Sequence, residues 1–283
     1  MVDAAPTLPV ASSRRSGVMR FGTEFIGRRA FNILVALHGV GAFALITLGV
    51  MVRKLGVARA VIRPLIAREI SRAGVQLLPM FLFAALALGF LVIGQTVSVL
   101  SRLGAASNLL GDIMVIVVVR ELGPLLTAIL VLARVGTATV VELGTARATG
   151  EVESLEALGI DPVHYLVLPR VIGMAIGIFS LTVYLILGTL ISGYLWAFVQ
   201  DIPLLPSDYF SQLAGALTYL DFVLLALKTV IFGFIIAIVT CYHGLAHPLQ
   251  LDQLSRATVR AVGQSIVACV LLDALFILAY LML

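Results

Sequence analysis

The sequence predicts an all-α polytopic membrane protein: an N-terminal interfacial helix, five transmembrane helices, a short cytoplasmic helix between spans 2 and 3, and a short outer-surface helix between spans 3 and 4. Three observations lead there. Of 283 residues, 61% are hydrophobic and only 12% charged, and the mean hydropathy is +1.12, well outside the range of soluble domains. The apolar residues fall into runs of roughly twenty or more, long enough to cross about 30 Å of hydrocarbon. Basic residues are concentrated ahead of the first strong run, Arg28, Arg29, Arg53, Lys54, Arg59, Arg63, Arg68 and Arg72 among them, which marks a cytoplasmic side facing anionic lipid. The net charge of +4 therefore reports membrane orientation. It does not point to nucleic acid, and no stretch remains for an aqueous catalytic domain.

Residues 1–20 hold Pro6, Pro9, Ser12, Ser13 and Ser16 without an apolar core, and read as a flexible tail with no cleavable signal peptide. Residues 21–74 form an interfacial or elbow region. Its apolar run, 31–52, is long enough to cross, but Arg28 and Arg29 precede it and Arg53, Lys54 and Arg59 follow, so both ends favour the cytoplasmic face. An interfacial or re-entrant helix, interrupted by His38, Gly39 and Gly41, satisfies both flanks; a true crossing is the alternative.

Residues 75–283 make the five-span domain. The first span, 75–100, has Pro79 near its start and Gly89 and Gly94 within. An outer hairpin at 102–108 leads to the second, about 109–141, where Gly123 and Pro124 favour a kink and Ala133, Gly136, Thr137 and Ala138 permit close packing. The third, 163–199, carries the GxxxG pair Gly173 and Gly177 and ends at Tyr194 and Trp196 near the outer interface. The next loop holds Asp201, Asp208 and Asp221 and no Lys or Arg, so it lies outside. There Ser207 would cap a surface helix with Phe210, Leu213 and Leu217. The fourth span, about 222–242, and the fifth, about 261–283, bring the C-terminus to the outer side, with Arg256 and Arg260 in the cytoplasmic loop between them.

Charge inside the bilayer costs several kcal/mol per group, so it faces protein, a cavity or a counter-charge. Lys228 falls about 10 Å below the outer end of its span, Asp273 about 15 Å below and Arg120 about 18 Å in. Adjacent Arg120 and Glu121 point apart on a helix and need separate partners. Arg120, Glu121, Lys228 and Asp273 would form one polar network whose charges sum to zero, either locking helices together or serving transport. No metal site is predicted: His243 and His247 stand one turn apart, with no Glu after the first. Cys241 and Cys269 read as small buried side chains.

Between spans 2 and 3 the chain turns through an elbow, about 149–160. Glu151, Val152, Glu153, Ser154, Leu155, Glu156, Ala157 and Leu158 give two helical turns in which Val152, Leu155 and Leu158 recur at helical spacing. Gly159 supplies a left-handed stop, Asp161 a cap, and Pro162 the first position of the next helix.

The whole segment RELGPLLTAILVLARVGTATVVELGTARATGEVESLEALGIDPVHYLVLPR, Arg120 to Arg170, resembles the signature of the MlaE/YrbE permeases, the membrane subunits of MCE-type lipid-transporting ABC systems. A second block, SRATVRAV from Ser255 to Val262, is similar to the motif before that family's last span, although HPLQLDQLS stands where a glycine-rich loop is usual. The resemblance runs from about residue 75 to the C-terminus. It implies a multi-pass protein of the bacterial inner membrane with its N-terminus in the cytoplasm and its C-terminus in the periplasm. It implies a dimer of this chain, or with a close homologue, around a lipid cavity walled by residues such as Phe90, Leu91, Gln95, Leu122 and Leu125. Charged residues at positions matching the polar network are also a family trait. The elbow becomes a coupling helix that docks a pair of ABC ATPase subunits through Glu151, Glu153, Leu155, Glu156, Leu158 and Asp161, and an MCE-domain substrate-binding protein works on the outer side. This chain has no GxxxxGK[ST] motif, so ATP and Mg would belong to the partner and the chain itself would be non-catalytic, with no cofactor of its own. The competing reading is a stand-alone proton-coupled secondary transporter in which Glu121 or Asp273 titrates.

Overall fold

The computed structural model describes residues 38–53, 59–96, 113–199, 206–245 and 251–282; the expected tail, the 102–108 hairpin, Asp201 and His247 lie outside them. The chain divides into two units, Met1–Leu45 and Ile46–Leu283. Helix α1 (His38–Arg53) covers the described part of the first apolar run.

Every other described element is helical and belongs to the second unit: α2 (Arg59–Ala73), α3 (Leu78–Leu88), α4 (Val115–Ala148), α5 (Glu151–Ala157), α6 (Val163–Val199), α7 (Pro206–Ala216), α8 (Tyr219–Leu245) and α9 (Leu254–Met282). Among the described residues, five apolar helical runs are long enough to cross a membrane: Ala60–Thr96, which joins α2 and α3, then α4, α6, α8 and α9. The all-α polytopic architecture is therefore present.

Helix α6 is the hub, packed against α2, α3, α4 and α8, and small residues let it take that place. A Cβ on Gly173 would come within 2.6 Å of the Glu69 Cβ, and one on Gly177 within 2.9 Å of the Ala73 Cβ. The GxxxG pair thus seats α2. Further along, a Cβ on Gly188 would meet Ala85 at 2.8 Å, and the Ser192 hydroxyl donates to the Ala85 carbonyl at 3.0 Å. On the opposite flank, Gly233 of α8 lies against the Ala175 backbone. Similar contacts close α4 on α8, where Gly244 faces Leu143 and Gly136 faces Thr240.

Several boundaries differ from those drawn on hydropathy. α2 passes through a tight turn, Val75–Leu77, into α3, so the first span is continuous with the basic helix before it. α4 ends at Ala148 and α9 begins at Leu254, each about seven residues beyond the apolar run. Arg256 and Arg260 consequently sit exposed in the first turns of α9 and not in a loop. A hydropathy edge marks where hydrocarbon ends, whereas a helix keeps its own hydrogen bonds and continues into the polar zone. Asp221 is the most consequential difference. It lies in the first turn of α8 and is 2% exposed, not in an outer loop.

Candidate functional site

Among the described residues, four stretches of wide, π-type helix interrupt the spans: Gly89–Ile93, Val115–Leu122, Leu132–Gly136 and Val163–Val167. Such turns arise where an i to i−4 bond is lost, and they often mark functional positions. The longest ends at Gly123, whose N–H reaches back five residues to the Val118 carbonyl. Pro124 follows. Having no N–H, it leaves the carbonyl of Arg120, four residues earlier, without its usual helical donor. That carbonyl instead accepts the Lys228 ammonium at 2.8 Å.

Lys228 is the centre of the charged network. Its side chain is 1% exposed, and Nζ lies 3.1 Å from Glu121 Oε2 and 2.6 Å from Asp273 Oδ1. Three helices, α4, α8 and α9, meet on one ammonium. Arg120 turns the other way, its Nε 2.8 Å from Asp221 Oδ1 and its guanidinium 4.8 Å above the Tyr280 ring. The Asp221 carboxylate also accepts the Thr218 N–H at 2.9 Å, closing the first turn of α8. The separate partners expected for two neighbouring charges are thus Asp221 and Lys228. The four charges expected to cancel are joined by a fifth, Asp221, so two cations meet three carboxylates, a formal charge of −1.

The elbow is a second candidate site. Helix α5 is bracketed by Gly150 and Gly159, with φ of +78° and +74°, the left-handed region that glycine enters at little cost. Asp161 caps α6 by accepting the Val163 N–H at 3.0 Å. Of the apolar stripe only Val152 is buried; Leu155 is half-buried and Leu158 is 75% exposed. Glu151, Glu153 and Glu156 all face solvent, with Glu153 3.4 Å from Arg147. One side of α5 therefore grips the bundle and the other is open.

The residues suggested for a cavity wall lie open or half-open on this single chain. Phe90, Leu91 and Gln95 are exposed, and Leu122 and Leu125 half-buried. Phe90 lies edge-on to Trp196, with ring centroids 4.1 Å apart, and Trp196 in turn covers Gly94. Nearby, burial pushes the Tyr209 phenol of α7 up from its ordinary range; its hydroxyl donates to the Leu190 carbonyl at 3.1 Å. His243 does not stand free, its Nε2 lying 2.8 Å from Gln264 Oε1, and both cysteines are buried thiols.

Residues 66–279 match the sequence profile described as Permease MlaE. The chain belongs to the MlaE permease family. Among its relatives, a probable ABC transporter permease of Rickettsia felis is 30% identical over 248 residues, covering 85% of this chain and 90% of that protein. A probable ABC transporter permease of Synechocystis sp. is 35% identical, covering 62% and 66%. The chloroplastic protein TRIGALACTOSYLDIACYLGLYCEROL 1 of Arabidopsis thaliana is 29% identical, covering 73% and 58%. The chain is accordingly a multi-pass ABC permease, a membrane subunit that works with a separate ATPase.

Within this MlaE permease, Asp221 is the charged partner that hydropathy hid. It stands at the border of the fourth apolar run and so reads as a loop acid. The signal that finds it is the odd cation: Arg120 has no carboxylate to pair with once Glu121 and Asp273 are taken by Lys228.

Proposed function

We propose that this permease carries phospholipid or a related hydrophobic lipid between the inner membrane and an MCE-domain partner, driven by ATP hydrolysis in an ATPase pair docked on α5. The observation that carries the proposal is the open side of α5: Glu153, Glu156 and Leu158 project from a helix fixed at both ends by left-handed glycines and anchored by Val152. A push on such an element moves α4 and α6 as bodies, because no flexible linker absorbs it. The Arabidopsis relative is named for a galactolipid, which supports a lipid substrate. Two copies of the chain, or this chain and a close homologue, would bring Phe90, Leu91 and Gln95 around a shared apolar cavity. The basic N-terminal side and α5 would face the cytoplasm, with α7 and the C-terminus in the periplasm.

The charged network then serves as the fixed joint of α4, α8 and α9. ATP and Mg would be held by the partner.

The proposal is tested by purifying tagged wild-type and Glu156→Arg chains from detergent-solubilised membranes and identifying what co-purifies. The expected result is an ATPase and an MCE-domain protein with the wild type, and about tenfold less ATPase with the variant, since a reversed charge at a docking surface costs more than a lost contact. A chain that emerges alone in both cases defeats the proposal and moves attention to proton-coupled transport through Glu121 and Asp273.

A further inference from the structure

A second group of charges lies at the α5 end of the bundle, and it surrounds space. A cavity of about 430 Å³ opens between α2, α4 and α6, lined by Arg68, Glu69, Arg72, Glu142, Tyr165 and Arg170. Arg72 holds both oxygens of Glu142, through Nη1 at 2.7 Å and through Nη2. Arg170 Nη2 shares the same carboxylate at 3.2 Å, and its Nε lies 3.7 Å from Glu69. These contacts leave the site short of acceptors. Three guanidiniums carry about fifteen N–H donors, yet among the described residues Glu142 alone accepts hydrogen bonds from them. Arg170 Nη1 is buried with no partner among the described residues. Arg68 lines the cavity and makes no ion pair or hydrogen bond among them. Three cations against two carboxylates leave a formal charge of +1.

We infer that this cavity binds the phosphate of an anionic phospholipid headgroup in the leaflet at the α5 end. Phosphate brings several acceptor oxygens and no obligatory donor, and it matches guanidinium geometry. The depth is also right. Glu142 stands about 9 Å before the end of α4 and Arg170 about 10 Å after the start of α6, the level of headgroup and glycerol for helices of this length. Basic pockets between spans on the cytoplasmic side are a recurrent form of headgroup site. The site is separate from the Lys228 network and from the Phe90 wall, and does not depend on the transport reading.

The test places a benzophenone amino acid at Leu65, which borders the cavity, and a control at Leu278, an exposed residue of α9. The full-length chain is reconstituted in nanodiscs of phosphatidylcholine with a minor share of phosphatidylglycerol, irradiated, and its lipid adducts identified by mass spectrometry. Phosphatidylglycerol should be enriched at Leu65 over the Leu278 control, and Arg68→Gln should lower that enrichment about tenfold while Arg68→Lys retains most of it. Arg68 is exposed and pairs with none of the described residues, so the variant is expected to leave the fold intact. Loss of the adduct on adding millimolar inorganic phosphate would support the phosphate site with a soluble anion as its occupant. Equal labelling at both positions, or labelling indifferent to Arg68→Gln, would overturn the inference and leave a hydrated ion-pair cluster.

Discussion

The two charge clusters of this permease are built from the same residue types and are held in opposite ways. Around Lys228 the carboxylates of Glu121 and Asp273 close on a cation that is 1% exposed, and a backbone carbonyl completes its coordination. Around Glu142, 42% of the acceptor side chain remains open and the cations outnumber their partners. Burial decides what each can do. Breaking a dry ion pair strands a charge in low dielectric, which costs several kcal/mol, whereas a wet pair exchanges one partner for water at almost no cost. The buried cluster therefore fixes helices, and the open one leaves donors available.

The comparison breaks most visibly at Lys228. Lys228→Met should destabilise the chain by about 3–5 kcal/mol, because it leaves two carboxylates and the Arg120 carbonyl without their cation; thermal unfolding in detergent measures it. A loss under about 1 kcal/mol would mean that water reaches the network. The contact holding α2 to α6 is packing, so Gly177→Val, which drives a branched side chain into Ala73, should cost about 1–3 kcal/mol and loosen the cavity at the same time. Glu142→Gln should cost least, about 0.2–1 kcal/mol, and that small loss should fade as salt is raised. If Glu142→Gln proved costlier than Gly177→Val, the wet cluster and not the glycine seam would be what binds α2.

Much of this was legible beforehand because membranes impose few solutions. Hydropathy located five spans, and left-handed Gly159, the Asp161 cap and Pro162 delimit the elbow by local rules that tertiary context seldom overrides. Helix ends were harder: nothing in the composition around Glu142 or Arg256 says that a helix persists past the hydrocarbon. Asp221 escaped for the same reason, since a residue at a hydropathy edge can belong to a loop or to a first turn. The arginine-lined cavity was not legible at all. Glu69, Arg72, Glu142 and Arg170 come from three helices, and their meeting depends on how α2, seated on the glycines of α6, and α4 pack against that helix.

In an unbroken helix each carbonyl is occupied by the N–H four residues on, and no outside group can have it. Pro124 leaves the Arg120 carbonyl open, and the Lys228 ammonium fills it. The height of that ammonium along the bundle is thereby addressed by the covalent order of α4, and not solely by where acidic side chains fall. Shifting the proline by one residue would move the open acceptor about 1.5 Å along the axis and about 100° around it, turning it away from α8.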